Sequence, residues 1–360
     1  MAVNEPNPTS ELQTEFERLK EIVSAHFQIE EALIEYNIPT FYLKQPQETK
    51  QAFLKVLERL EPINLIAALR RVEGRLVLKI LPKPPVKPSN ILVNWILLFA
   101  TIGTTFLTGY MLSASLAEIG GAINPIMGGF AFTISIMAIF GVHEIGHKLT
   151  ANKKGIEATP PYFIPGPPPV FGGIGTFGAV IFQKSLPPNR DALFDVGMSG
   201  PITGFIVAVF VTAVGYTMTV PARPAEATVL PAPLAMYLIG ILIDSLGMIP
   251  KGENLYMHPV GIAGWAGMLI TMLNLLPAAM LDGGHIARSL AGDKVRIALT
   301  AFSIFLLLIT NFWLMALFVL FMSSYKHPGP LDDVSTLSKS RKILAIVLVG
   351  VFVLSFPFLY

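Results

Sequence analysis

Residues 122–149 read AINPIMGGFAFTISIMAIFGVHEIGHKL. Nothing before His143 in this run is charged, and it closes on His143-Glu144-Ile145-Gly146-His147-Lys148. A helix of this length crosses a hydrocarbon core of about 30 Å. Positions four apart lie on one helical face, so both imidazoles reach one ion, with Glu144 beside them to touch a water held by that ion. Ionisable groups at membrane depth cost about 2.5–3.5 kcal/mol each. Three of them in little more than one turn therefore need a reason. A chance occurrence of the pattern and a self-satisfied structural cluster are the bland alternatives; metal binding is the one that uses all three side chains.

Outward from this run, further apolar stretches follow each other along the chain. Residues 91–115 carry no charge. Other candidate spans are 193–220, a stretch from residue 259 broken near Pro277, and 343–360. Residues 232–249 are apolar but short and contain Asp244, which suits a re-entrant or interfacial segment. Residues 295–323 are apolar apart from Arg296. One long span there would strand Lys326, Lys339, Arg341 and Lys342 on the outside, against the positive-inside tendency. A hairpin turning near Asn311 keeps them inside. Lys83 and Lys87 before the first span, and Lys148, Lys153 and Lys154 after the second, make the chain enter from the cytoplasmic side and return to it.

The N-terminal part is of another kind. Residues 1–88 hold 12 of the 26 Lys/Arg and 12 of the 24 Asp/Glu, an ordinary soluble balance, although the whole chain is only 14% charged. The expectation is a soluble α+β domain over 1–88 and a membrane domain over 89–360. Within the first, a helix is expected over 10–36, a short strand at Phe41-Tyr42-Leu43, an amphipathic helix over 47–59, and a helix or strand followed by a strand over 63–81. Residues 82–88, PKPPVKP, form a stiff linker. The first residues lack an apolar signal core, so this domain is expected to stay on the side of synthesis. A net charge of +2 gives no reason to expect nucleic acid as a partner.

There are no cysteines, so a metal site must use His and carboxylate. A catalytic zinc takes three protein ligands and keeps a position open. Four acids compete for third place. Asp191 and Asp195 sit beside Arg190 at a span end, where they suit a helix terminus. Asp244 suits an interface. Asp282 lies in Asn274-Leu-Leu-Pro277-Ala-Ala-Met-Leu-Asp282-Gly283-Gly284-His285. Pro277 and the two glycines break a helix at membrane depth, which is tolerated where the backbone lines a site. Asp282 is therefore the expected third ligand, with a cap at the helix break as its structural alternative. His285 is an alternative ligand or a partner that orients one. His258 and His327 suit the membrane interface, and His26 the soluble domain.

Together, His143-Glu144-Ile145-Gly146-His147 and the later Asn274…Pro277…Leu281-Asp282-Gly283-Gly284 resemble the site-2 protease family of intramembrane metalloproteases. Phe171-Gly-Gly-Ile-Gly-Thr-Phe-Gly-Ala-Val180 and Pro161-Tyr-Phe-Ile-Pro165 look like its archaeal, cyanobacterial and chloroplast branch. The likeness covers roughly residues 90–325. It implies a helical polytopic membrane protein of about six to seven spans. The third of these carries Gly197, Gly200, Pro201 and Gly204, which composition alone would read as close helix packing. It implies one Zn²⁺ per chain, Glu144 as general base, Asn274 as a substrate-positioning residue, and single-span membrane proteins in a lipid bilayer as substrates. The run between Asn274 and Asp282 is longer than the family's Asn-Pro-Asp-Gly form.

A helical substrate must be unwound before its carbonyls can be attacked. The Gly-rich residues 170–182 are expected to form a re-entrant hairpin or strand that pairs with the extended substrate, with Gly175 and Thr176 as substrate-positioning residues; a flexible membrane-surface loop is the alternative. A membrane transporter or channel, and a catalytically inactive scaffold, are the competing functions; Glu144 between two histidines speaks against both. A prokaryotic inner membrane is the default location, with a thylakoid or chloroplast membrane as the other.

Overall fold

The computed structural model describes residues 8–85, 88–225 and 230–358. The chain divides into two compact units.

The first unit comprises Met1–Lys87, Leu186–Leu193 and Pro328–Leu337. It runs α1 (Pro8–Ser24), β1 (Ile29–Glu35), β2 (Ile38–Leu43), α2 (Lys50–Leu60), β3 (Leu65–Val72) and β4 (Arg75–Pro82). The strands form an antiparallel sheet in the order β1-β2-β4-β3. The helix expected over 10–36 stops at Ser24, and residues 29–35 become a strand instead. Tyr36 and Asn37 both have positive φ, 51° and 63°, and close a two-residue hairpin that commits the residues before them to the sheet. Glu73 and Gly74, at 50° and 85°, do the same between β3 and β4.

One sheet face buries Phe41, Leu43, Leu69, Leu76 and Leu78. Against them lie Leu19 and Val23 of α1 and Phe53, Val56 and Leu60 of α2, the latter three spaced for one helical face. The outer edge of β3 is covered by residues 331–333. Leu69 N–H donates to Leu331 O at 2.9 Å, and Asp333 N–H donates back to Leu69 O at 3.2 Å. Asp332 is fully buried and accepts from the N–H groups of Val334 and Ser335, both at 2.9 Å. A strand edge that would otherwise be open is thus paired by chain from far downstream.

The second unit comprises Pro88–Ser185, Phe194–His327 and Ser338–Tyr360. It contains α3 (Ile91–Glu118), α4 (Pro125–Lys153), β5 (Tyr162–Pro165), β6 (Thr176–Val180), most of α5 (Arg190–Thr217), α6 (Leu234–Ser245), α7 (Pro259–Leu275), α8 (Asp282–Ala291), α9 (Asp293–Ile309), α10 (Trp313–Ser323) and α11 (Lys339–Ser355). Among the described residues, three helices, α3, α4 and α5, are long and apolar enough to cross a membrane. Asn90 and Asn124 cap the first two, each accepting from two backbone N–H groups of the opening turn. Pro125 follows its cap at the position where a missing N–H costs nothing.

The stretch 295–323 folds as the expected hairpin: α9 and α10 pack on each other, and Asn311 turns between them at φ 61°. The Gly-rich segment ends in β6, which pairs antiparallel with β5 and packs along α4. The chain breaks between α7 and α8, where Ala279 has φ 46°.

Candidate metal centre

His143 and His147 project from the same face of α4, each only 5% exposed. Room for them comes from the facing helix. A Cβ on Gly200 would run into the His147 ring, and one on Gly204 would lie 2.9 Å from His143 Nδ1. The two glycines are spaced like the two histidines, four apart, so one helix supplies the rings and the other the hollows. Gly146 lets the helices close further, since its Cβ would lie 2.9 Å from Ser199 O.

Asp282 arrives from the opposite direction, as the first residue of α8. Its delivery depends on Gly283 and Gly284, whose Cβ atoms would collide with the carbonyl oxygens of Leu275 and Leu276, and of Ala278 and Ala279. Asp282 Oδ2 lies 3.3 Å from His143 Nε2 and 3.3 Å from His147 Nε2. The two Nε2 atoms are 3.1 Å apart. A tetrahedral zinc with bonds of about 2.0–2.1 Å has ligand atoms about 3.3–3.4 Å apart. The donor triangle fits one face of that tetrahedron, and its chemistry, two nitrogens and one carboxylate oxygen, suits the ion. Among the described residues it is the one cluster of three such side chains.

The hydrogen bonding agrees with ligation. His147 Nδ1 lies 2.7 Å from Val196 O, which accepts only from a protonated nitrogen. In the neutral ring the proton is then on Nδ1, and the Nε2 lone pair faces the centre.

Glu144 is 5% exposed, with its carboxylate 3.9 Å from His143 Nε2. The backbone amide of Ile181, one residue beyond β6, lies near the same carboxylate. Asn274 Nδ2 lies 3.5 Å from His143 Nε2. The structure therefore brings His143, Glu144, His147, Asn274 and Asp282 together.

The other expected residues lie elsewhere. Gly175, at φ 81°, packs on α3 and accepts from Thr104 Oγ1 at 2.6 Å. Thr176 is buried; its hydroxyl donates to Ile164 O at 2.8 Å and accepts from Gly178 N–H at 2.9 Å. Both hold the hairpin in shape. His285 hydrogen-bonds His327 at 2.8 Å; His285 is half-buried and His327 buried. His258 is also buried and caps α7 through Val260 N–H. Asp191 pairs with Lys50, and Asp195 with Lys154 and Arg341. Asp244 is exposed. Sequence reasoning missed Ile181, the Val196 carbonyl and the ring-accommodating role of Gly200 and Gly204. Only the last left a signal, a Gly-x-x-x-Gly matching the spacing of His-x-x-x-His.

A family model described as peptidase family M50 matches residues 131–317. The chain is 31% identical over 239 residues to a rice protein (Oryza sativa subsp. indica) named probable zinc metalloprotease EGY2, chloroplastic, covering 61% of this chain and 42% of that one. It is 35% identical over 173 residues to the Arabidopsis thaliana protein of the same name, covering 47% and 30%. To the Arabidopsis protein named probable zinc metalloprotease EGY1, chloroplastic, it is 33% identical over 168 residues, covering 44% and 29%. The chain thus spans less than half the length of these curated relatives. No solved structure matches it.

Proposed function

The chain belongs to peptidase family M50, and from that membership and the donor triangle at His143, His147 and Asp282 we propose that it is an intramembrane zinc metalloprotease that hydrolyses peptide bonds of membrane-spanning proteins. The observation that carries this is the triangle itself, with an acid beside it that the ligand set does not need. A structural metal site has no use for Glu144; a hydrolase does.

Bound to the two imidazoles and the carboxylate, zinc supplies Lewis acidity, bringing the pKa of a water to about 7 and polarising a carbonyl. The remaining steps belong to the chain. Glu144 accepts a proton from the attacking water as its oxygen bonds to the scissile carbonyl carbon. The carboxylate then returns that proton to the amide nitrogen as the C–N bond breaks. The Ile181 N–H steadies the carboxylate that does this. Asn274, across the site from Glu144's helix, offers an amide donor to the carbonyl oxygen as it gains charge. Val196 fixes the orientation of His147 throughout.

A substrate in helical form hides its carbonyls, so it must be extended locally. β6 pairs with β5 on one side only among the described strands, and its continuation passes Glu144. This supports substrate docking as an added strand along β6, with pairing through backbone groups. Gly175 and Thr176 then serve substrate positioning indirectly, by fixing the hairpin.

The described residues up to 85, with 186–193 and 328–337, belong to one compact unit, which supports placing them on one side of a membrane. This supports α3 and α4 as an out-and-back pair, α5 answered by α7–α8, and α9–α10 leaving and returning together. The relatives named as chloroplastic bring a chloroplast membrane alongside the prokaryotic inner membrane as the location.

Glu144→Gln is expected to keep stoichiometric zinc while cleavage of a single-span substrate falls by about 10²–10⁴-fold, the usual worth of a general base. His143→Ala is expected to lose both zinc and cleavage. Zinc analysis and a cleavage assay on purified protein decide it. Ion flux without proteolysis would favour a transporter instead, and unaltered cleavage by Glu144→Gln would end the proposed mechanism.

A further inference from the structure

Arg296 is the lone charge in the apolar stretch 295–323, and nothing in the chemistry above uses it. It is 4% exposed, as is Thr300, one helical turn further along α9. Both reach the same residue. Thr300 Oγ1 accepts from Ala279 N–H at 3.0 Å, and Arg296 Nη1 donates to Ala279 O at 3.3 Å. Each is itself held. The Thr300 hydroxyl donates to Arg296 O at 2.8 Å, and the guanidinium meets Asp293 Oδ1 through Nε at 3.0 Å and Nη2 at 2.9 Å.

Ala279 is an unusual residue to grip. It is fully buried, sits in the break between α7 and α8, and has φ 46°. L-residues other than glycine pay for that conformation, and it persists only when the surroundings impose it. Two bonds, one to each backbone polar group of the residue, do so. The chain three residues on is Asp282. Between them, Leu281 N–H donates to Ala278 O at 3.1 Å, and the Ala279 carbonyl lies over Gly284 in the first turn of α8. Displacement of Ala279 is therefore passed directly to the carboxylate-bearing turn.

We propose that Thr300 and Arg296 are positioning residues for Asp282: through Ala279 they hold the helix break in the one backbone conformation that points the carboxylate at His143 and His147. The inference rests on the metal reading of the triangle. Residues that orient a metal ligand typically carry about 10–100-fold in affinity.

The test is zinc affinity of the purified full chain, measured by competition with a chelating dye. Thr300→Val removes the acceptor and is expected to weaken zinc binding by about tenfold or more; Thr300→Ser keeps the hydroxyl and is expected to bind as the native chain does. The discriminating variant is Thr300→Val combined with Ala279→Gly. Glycine adopts positive φ without steric cost, so the double variant is expected to recover most of the lost affinity. A role in general packing predicts no such rescue. Arg296→Met provides a second series with the same expectation, should Thr300→Val fail to accumulate. Native-like affinity in the single variants, or a loss that Ala279→Gly does not relieve, overturns the inference. A native chain that binds no zinc overturns the metal reading instead.

Discussion

The His147 ring is pinned at Nδ1 by the Val196 carbonyl and faced by Gly200, so neither its tautomer nor its position is free. Gly200→Ala makes the point testable. The added methyl meets the ring itself, and the helix cannot yield without opening its contact with α4. Zinc content per chain is expected to fall by at least tenfold, with Gly103→Ala, whose Cβ meets nothing within 4 Å, as the harmless control. At this scale the sequence was largely readable. A span ending on two histidines and an acid leaves few explanations, and Asp282 was singled out because glycine and proline break the chain beside it. What it could not disclose were partners supplied by backbone. The Val196 carbonyl and the Ile181 N–H carry no side-chain signature, and the mutual contact of His285 and His327 joins residues far apart in the chain.

At the scale of elements, two kinds of legibility separate. Long runs with little or no charge mark α3, α4 and α5, because the period of burial hardly matters when a helix is apolar all round. Short elements were harder. The helical reading extends past Ser24 to residue 36, and the positive-φ turn at Tyr36-Asn37, with pairing to β2, commits residues 29–35 to the sheet instead. In the β5–β6 hairpin the Thr176 side chain faces inward: its hydroxyl donates to Ile164 O and accepts from Gly178 N–H. Phe177, the next residue, is 64% exposed. A photo-cross-linker placed at Phe177 is therefore expected to capture a single-span substrate, and one at Thr176 is not. Equal capture at both positions, or none at Phe177, would count against strand addition at β6.

At the scale of the whole molecule, the sequence draws one boundary near residue 88, whereas the first unit also recruits 186–193 and 328–337. No local pattern marks these as parts of a distant sheet, because their pairing is through backbone groups: Leu331 N–H to Pro187 O and Asp332 N–H to Pro188 O join them to each other, and Leu69 joins them to β3. Asp332 organises this assembly from a fully buried site. Asp332→Ala leaves two backbone N–H groups and the Ser335 hydroxyl without their acceptor, at about 1–3 kcal/mol. Hydrogen exchange is expected to quicken correspondingly in β3 and residues 331–335 while α3 and α4 keep their protection. A uniform change across the molecule would show instead that this unit does not open independently of α3 and α4.

That braided construction has a consequence during translation. The ribosome finishes β3 at residue 72 but does not supply its neighbour, residues 331–333, until some 260 residues later. At about 5–20 residues per second the sheet waits roughly 13–50 s with a bare margin. Throughout that interval helices α3 to α10 are being made. The β3 edge of the N-terminal sheet is therefore completed only after the α9–α10 hairpin that precedes residues 331–333 has been made.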